Sequence, residues 1–479
     1  MSFASIDQLG QALARSRLAT PEQIEECRAE LGALEQSPAE LLRVMEHHQY
    51  LTAYQTAKLR KGSLEGLVLG DYKVMYRNAS GSFARVFRAC SLADGKMVGL
   101  KVLRQRWAND PKSVQQFHRE AELSKKLKHP NIVPIYDVGG QGEYHYFTME
   151  FVEGGNLRDF IKIRRKLSHA EATRCVCEIA HGLAYALSQG VTHRDLKPTN
   201  VLMSATGVAK LVDFGLAGDE QGGGARALEY ATIEDATSSP PNDPRSDLFF
   251  LGVIYYELLT GTPPYPSARS REERSRLARY THIRPIRQRE PNIPRGIEDI
   301  VERLLKLDPN QRYQSPQEVA ADLREVLVSL GETPPEDPRL SAAPPEPEAA
   351  GKPAAANNAI TVMCIEGRTK HQDVLRTYLT KHGFRVLMLS DVQRGLNRLA
   401  TAPPDCLILF GDSIGDEVAG AYEKARSRPS GKPGVVAVLS EKQKHLVSAF
   451  KPTPNSRILV QPIKIRSLRD AIEEVLGNA

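Results

Sequence analysis

At 479 residues the chain is long for one domain and suits about three, and its 41% hydrophobic and 25% charged residues are ordinary for soluble globular protein. Lys and Arg (64) exceed Asp and Glu (58) by only 6, too few over this length to mark a nucleic-acid binder. Cys27, Cys90, Cys175, Cys177, Cys364 and Cys406 form no Cys-x-x-Cys pair and read as reduced thiols of a cytoplasmic protein.

Residues 1–62 read as four short helices forming a small bundle. Each opens on a Ser/Thr-x-x-Glu/Gln pattern (Ser5/Gln8, Thr20/Gln23, Ser37/Glu40, Thr52/Gln55), in which hydroxyl and carboxamide or carboxylate satisfy orphan amides. Pro21 and Pro38 fall at first helical positions, and Gly62 is expected to stop the last helix. Residues 1–20 are amphipathic and lack the apolar centre of a signal peptide, and the bundle holds no catalytic constellation.

Residues 71–330 carry the chemistry. In order come Ala79-Ser80-Gly81-Ser82-Phe83-Ala84-Arg85-Val86, then Val98-Gly99-Leu100-Lys101, then Glu120, nine residues before His129-Pro130-Asn131, and Met149-Glu150-Phe151-Val152. The most specific segment is His193-Arg194-Asp195-Leu196-Lys197-Pro198-Thr199-Asn200, with Asp213-Phe214-Gly215 placing a second Asp 18 residues after the first. Phosphoryl transfer from ATP needs that set: a carboxylate to orient the attacking hydroxyl, an Asn and an Asp to hold Mg²⁺, and a Lys to neutralise the moving phosphate. The most apolar run, Leu248 to Leu259, is too short to cross a bilayer and carries Glu257, so no membrane span is expected.

On these motifs the chain resembles the protein kinase family, and the Lys two residues after the loop Asp resembles its Ser/Thr branch. The resemblance implies a bilobal α+β fold over 71–330, with an N-lobe at 71–149 and a C-lobe at 153–330. It implies that Lys101 pairs with the α- and β-phosphates and is braced by Glu120, that Asp195 orients the substrate hydroxyl and accepts its proton, and that Lys197 steadies the γ-phosphate. Asn200 and Asp213 would hold Mg²⁺ or Mn²⁺. Ala79, Gly81 and Ala84 would cover the phosphates, and Val86 and Leu202 would sandwich the adenine. Met149 would border that pocket, the Glu150 carbonyl and Val152 amide would read the adenine edge, and Asn156 falls where a ribose-contacting residue often lies. His193, Arg194 and Phe214 belong to the supporting frame. Asp247 is expected to bond the backbone near His193, and Glu234 to pair with Arg312 and close the C-lobe. The stretch Tyr50 to Tyr72 looks like the helical lead-in before kinase domains of planctomycete-type proteins.

Two segments depart from the family pattern. The phosphate loop keeps only Gly81 where three glycines are usual, which costs backbone freedom near the phosphates. In Arg226-Ala227-Leu228-Glu229-Tyr230-Ala231-Thr232-Ile233-Glu234, Ala227 replaces the Thr that meets the catalytic Asp and Lys. No Ser, Thr or Tyr lies between Gly215 and Tyr230, so Arg194 lacks a phosphorylated partner there; Asp219 or Glu220 would supply the charge, or Arg194 would go unpaired. The Arg residues from Arg269 to Arg289 read as a solvated surface.

Residues 332–358 are rich in Pro, Ala and Glu and form a linker that cannot bury a core. From 359 to 479, five apolar runs alternate with helical stretches, which implies an α/β doubly wound parallel sheet. The strand spacing resembles a response-regulator receiver (flavodoxin-like). The phosphate-accepting Asp is replaced by Phe410, the acidic pair is reduced to Glu366-Gly367, the switch hydroxyl is Ser440 and the usual Lys is Gln461. This domain is expected to serve partner contact or self-association and not phosphorelay.

The sequence therefore describes a multidomain, cytoplasmic ATP- and Mg²⁺-dependent (or Mn²⁺-dependent) Ser/Thr protein kinase of bacterial type, acting on protein substrates. The alternative is a pseudokinase scaffold that binds ATP or partners without efficient transfer.

Overall fold

The computed structural model describes residues 3–31, 37–214, 225–240, 242–266, 268 and 270–336; further on it describes 360–368, 384–389, 403–426, 433–450, 453–463 and 465–477, with scattered residues between 371 and 399. The chain divides into two compact units, Met1–Asp159 with Lys166–Ser341, and Phe160–Arg165 with Ala342–Ala479. Most of the 332–358 linker, and residues Gly215, Asp219 and Glu220, lie outside the described residues.

The first unit opens with helices α1 (Ile6–Arg15), α2 (Pro21–Leu31), α3 (Pro38–His47) and α4 (Ala53–Leu59). The hydroxyls of Ser5, Thr20, Ser37 and Thr52 accept from the amides of Gln8, Gln23, Glu40 and Gln55. The reciprocal arm closes only at Thr20/Gln23 and Thr52/Gln55. Gln8 reaches the Ala4 amide instead, and Glu40 is drawn to the Arg43 guanidinium. Leu9, Leu13, Leu41, Met45 and Leu59 close one core between the helices, and Gly62 stops α4 in the left-handed region at φ 73°.

A six-stranded antiparallel sheet follows, built from β1 (Val68–Leu69), β2 (Tyr72–Ser80), β3 (Ala84–Ser91), β4 (Met97–Leu103), β5 (Ile135–Gln141) and β6 (Tyr144–Glu150), in the order β1-β2-β3-β4-β6-β5. The helical leader is fastened to it through β2. Gln55 is fully buried, and its Nε2 donates to the Val74 carbonyl at 2.7 Å, while the Thr52 hydroxyl donates to the Met75 carbonyl at 2.8 Å. Lys73 donates to the carbonyls of Leu18 and Tyr50, and burial pushes its pKa down to about 8.

Between β4 and β5 lie the short α5 (Gln105–Ala108) and α6 (Pro111–Lys125). Asp110 caps α6 by accepting from the Lys112 and Ser113 amides, with Pro111 at the first helical position. Ser113, Phe117, Ala121 and Ser124 recur at helical spacing and form its buried face.

The helical lobe contains α7 (Leu157–Arg164), α8 (His169–Ser188), the hairpin β7 (Val201–Met203) and β8 (Ala209–Leu211), α9 (Ala225–Ala236), α10 (Pro244–Thr260), the short α11 (Arg271–Arg274) and α12 (Ala278–Thr281), α13 (Arg295–Leu304) and α14 (Pro316–Ser329). The apolar run at 248–259 is the body of α10, buried on every side. Gly252 lets α13 approach: a Cβ there would stand 2.7 Å from the Leu304 Cβ. Among the described residues no helix is long and apolar enough to cross a membrane.

In the second unit, β9 (Thr361–Ile365), β10 (Arg385–Leu389), β11 (Cys406–Phe410), β12 (Gly434–Leu439) and β13 (Ser456–Val460) form a parallel sheet in the order β10-β9-β11-β12-β13. Alternation sends Val362, Cys364, Ile408 and Val436 to the face covered by the helix Ile465–Gly477. Met363, Ile365, Leu407 and Val435 face the helix Val418–Arg426.

Replacing Gln55 with Ala removes the α4 cap arm and the donor to Val74 together. The variant should lose about 2 kcal/mol of stability, read as a lower denaturant midpoint at unchanged m-value.

Candidate active site

β4 is a central strand, paired to β3 and β6, so Lys101 is carried into the interior opposite Val86 and Phe147. Its ammonium lies 3.3 Å from Glu120 Oε1 on α6 and 2.9 Å from Asp213 Oδ1 beyond β8, with the lysine side chain only 10% exposed. Burial alone would discharge it, but Asp213 and then Glu120 outweigh burial and hold its pKa above the ordinary lysine value. Asp213 is kept ionised by the same contact against its own burial.

The catalytic loop is organised around a second buried carboxylate. Asp247, near the start of α10, accepts from the His193 amide at 2.7 Å and the Arg194 amide at 2.9 Å. It also accepts the Tyr230 hydroxyl at 2.7 Å. Arg194 and Asp213 both sit in the left-handed region, at φ 59° and 60°, a conformation that non-glycine residues adopt only under such constraint. The imidazole of His193 is buried, its pKa lowered by desolvation, and its ring stacks obliquely on Phe214 at 4.7 Å. Within the loop, Lys197 Nζ and Asn200 Nδ2 donate to the same oxygen of Asp195, Oδ2, at 2.6 and 2.8 Å.

Val86, Met149, Val152 and Leu202 come together in one apolar cluster with Ala84. Glu150 lies at the end of β6, and its carboxylate pairs with Lys210 at 2.7 Å. Asn156 spends its amide on α7: Nδ2 donates to Asp159 Oδ2, and Oδ1 accepts from the Asp159 amide. A ribose-contacting role for Asn156 would have to break that cap. Asn200 and Asp213 offer an amide and a carboxylate oxygen, hard donors of the kind Mg²⁺ takes together with phosphate and water. No group of three or more His, Cys, Asp or Glu among the described residues forms a cage for a metal.

The activation segment corrects one expectation. Glu234 does not pair with Arg312. The Arg312 guanidinium is buried and donates to the carbonyls of Lys306, Arg245 and Leu307, each at 2.6 Å, and burial lowers its pKa to about 10. Residues 225–236 instead form α9, which puts Tyr230, Ile233 and Glu234 on one face at i, i+3 and i+4. Tyr230 and Ile233 are buried, and Glu234 Oε2 lies 3.9 Å from Arg194 Nη2. The alternatives for Arg194 placed on Asp219 and Glu220 fall outside the described residues, and Glu234 is the carboxylate that the structure sets beside it.

Sequence reasoning missed how α9 is anchored. Glu229 is buried and accepts from Arg279 Nη1 at 2.8 Å, with Arg274 at 3.7 Å. Arg279 lies over the Tyr265 ring at 4.5 Å, so this part of the basic stretch is not a solvated surface. Only the excess of Arg over acid between 269 and 289 hinted at it. Glu178 on α8 was also missed. It is buried, accepts from the Ala209 amide at 2.7 Å at the head of β8, and has its pKa pushed up to about 7 by burial.

In the parallel-sheet unit, Phe410 is a core residue and Ser440 donates to Gln443 at 3.0 Å. The buried Glu366 is clasped by Arg368 through both oxygens, at 3.0 and 3.1 Å. Arg368 also reaches Asp412 at 3.1 Å.

A family model described as "Protein kinase domain" matches residues 72–323. Serine/threonine-protein kinase PrkC of Bacillus subtilis is 31% identical over 275 residues, covering 54% of this chain and 40% of that protein. Serine/threonine-protein kinase PknB of Mycobacterium tuberculosis is 33% identical over 276 residues, covering 54% of this chain and 43% of that protein. PknB of Mycobacterium leprae is likewise 33% identical over 275 residues. The matched region spans less than half the length of these relatives.

The Glu178 carboxyl binds its proton more tightly in the folded state than in the unfolded one. Stability should therefore fall as pH rises from about 4.5 to about 7, by up to about 1.4 kcal/mol per pH unit. Melting temperature against pH should be flatter for Glu178→Gln than for the wild type over that window.

Proposed function

The chain belongs to the protein kinase family, and we propose that it is a bacterial Ser/Thr kinase transferring the γ-phosphoryl group of ATP to protein hydroxyls. The observation that carries this reading is the Lys101 ammonium held between Glu120 and Asp213. That arrangement fixes the ammonium in place on the strand position opposite Val86, where nucleotide phosphates would draw it from its carboxylates.

In this mechanism Asp195 orients the substrate hydroxyl and takes its proton. Lys197 and Asn200 bond the same Asp195 oxygen, so the carboxylate is held in one rotamer with its other oxygen left for the hydroxyl. Lys197 then follows the charge that develops on the transferring phosphoryl. Lys101 holds the α- and β-phosphates, and Asn200 with Asp213 would hold the divalent cation. When bound, MgATP supplies the phosphoryl group and the cation offsets its negative charge.

Glu234 beside Arg194 supports a segment ordered without phosphorylation. The competing pseudokinase reading draws on α9 itself, since a helix anchored by Glu229 and Tyr230 occupies the segment that receives a peptide in active family members. The parallel-sheet unit reads as a doubly wound, receiver-like domain in which the Arg368 guanidinium takes the place of a metal between Glu366 and Asp412. Its role would be partner contact or self-association. The absence of a spanning helix among the described residues and six free thiols support a cytoplasmic setting, and the lead-in at 50–72 supports a planctomycete-type architecture.

Transfer of labelled γ-phosphate to the protein or to a basic acceptor, with Mg²⁺ or Mn²⁺, tests the assignment. Asp195→Asn and Asp213→Asn should each lose about 10²–10⁴-fold in rate. Thermal stabilisation by MgATP with no transfer by the wild type would establish the scaffold instead. Phosphatase treatment should leave the wild-type rate unchanged, because Glu234 already carries the charge that Arg194 needs.

A further inference from the structure

The β2–β3 loop keeps one glycine, and the structure shows that it makes little conformational use of it. Gly81 is not in the left-handed region, and a Cβ there would meet only the Ala84 carbonyl at 3.4 Å. Ala79 and Ala84 are strand residues, paired with Val86 and Leu103. Besides its own closing bond, the Gly81 amide donating to the Ala84 carbonyl at 3.0 Å, the loop is held from outside, by α5 and the residue before it. Arg104 Nη2 donates to Ser80 Oγ at 2.8 Å, and the Arg104 amide donates to the Phe83 carbonyl at 3.0 Å. The Ser82 carbonyl accepts both the Arg106 guanidinium and Trp107 Nε1, the latter at 3.2 Å. The Phe83 ring lies 5.9 Å from Trp107 and 6.3 Å from Phe117 on α6, the helix that carries Glu120.

We propose that Trp107, with Arg104 and Arg106, is a clamp that positions the loop over the nucleotide phosphates in place of the missing glycines. A short loop whose flanking Ala79 and Ala84 are held in strands has less freedom to wrap onto phosphate after binding, so it must already be in place. The clamp settles that ordering cost during folding, which leaves less to be lost when nucleotide arrives. Through Phe83 and Phe117 the same contact ties loop position to the helix that braces Lys101. This inference rests on the ATP-binding reading of the site. The three residues act through the loop and are positioning residues.

Trp107 is the sole tryptophan of the chain and is 36% exposed, so its emission reports on the loop. The test titrates the full chain with MgATP and with adenosine, which has no phosphates, following tryptophan emission in the wild type and calorimetry in all variants. In the wild type MgATP should shift the emission saturably and adenosine should not. Trp107→Ala and Arg104→Ala should each weaken MgATP binding about tenfold while leaving adenosine affinity unchanged, and Trp107→Phe, which keeps the ring contact with Phe83, should retain most of it. Equal weakening of both ligands, or of neither, would overturn the clamp. A wild type that binds neither ligand would overturn the ATP-binding reading and the clamp with it.

Discussion

A lysine buried in the middle of a sheet is tolerable only with compensation, and most of the first unit is arranged to give Lys101 that compensation. Removing an ammonium from water without a partner costs several kcal/mol. Two carboxylates answer it from different parts of the chain, Glu120 on α6 and Asp213 beyond β8. Satisfying one buried charge therefore fixes the helix against the sheet and the segment that carries Asp213 against both. The Lys101 ammonium also lies over the Phe147 ring at 5.3 Å, and that ring packs on Phe117 at 5.2 Å.

Asp247 plays the corresponding part in the helical lobe. One carboxylate on a fully buried helix receives two loop amides and a tyrosine hydroxyl. Those bonds hold Arg194 in a left-handed conformation and join α9 to the catalytic loop. With Glu229 on Arg279 at the other side, the described part of the activation segment, α9, is held by the Tyr230, Glu234 and Glu229 side chains. In the parallel-sheet unit a guanidinium, that of Arg368, stands between the carboxylates of Glu366 and Asp412.

The residues that carry chemistry were legible in the sequence because their spacing is set by short local structure. Asp195, Lys197 and Asn200 lie within six residues of one loop, and Asp213 follows a two-strand hairpin, so short local structure sets where each falls along the chain. The helix caps at Thr20 and Thr52 were legible for the same reason, since a capping box closes within four residues. The continuous apolar runs likewise announced the strands of the parallel sheet, though not which helix covers which face.

Sequence by itself thus determined the family and the place of Phe410 at the end of a strand of the parallel sheet. Tertiary structure alone decided the partners of the long, charged side chains. Arg312 turned to three carbonyls, Glu234 to Arg194, Glu229 to Arg279 and Arg104 to Ser80. An arginine can reach any acceptor within its long flexible span, and many lie within that radius. Which one it meets depends on how helices far apart in the chain are rotated against each other, and no local pattern encodes that rotation.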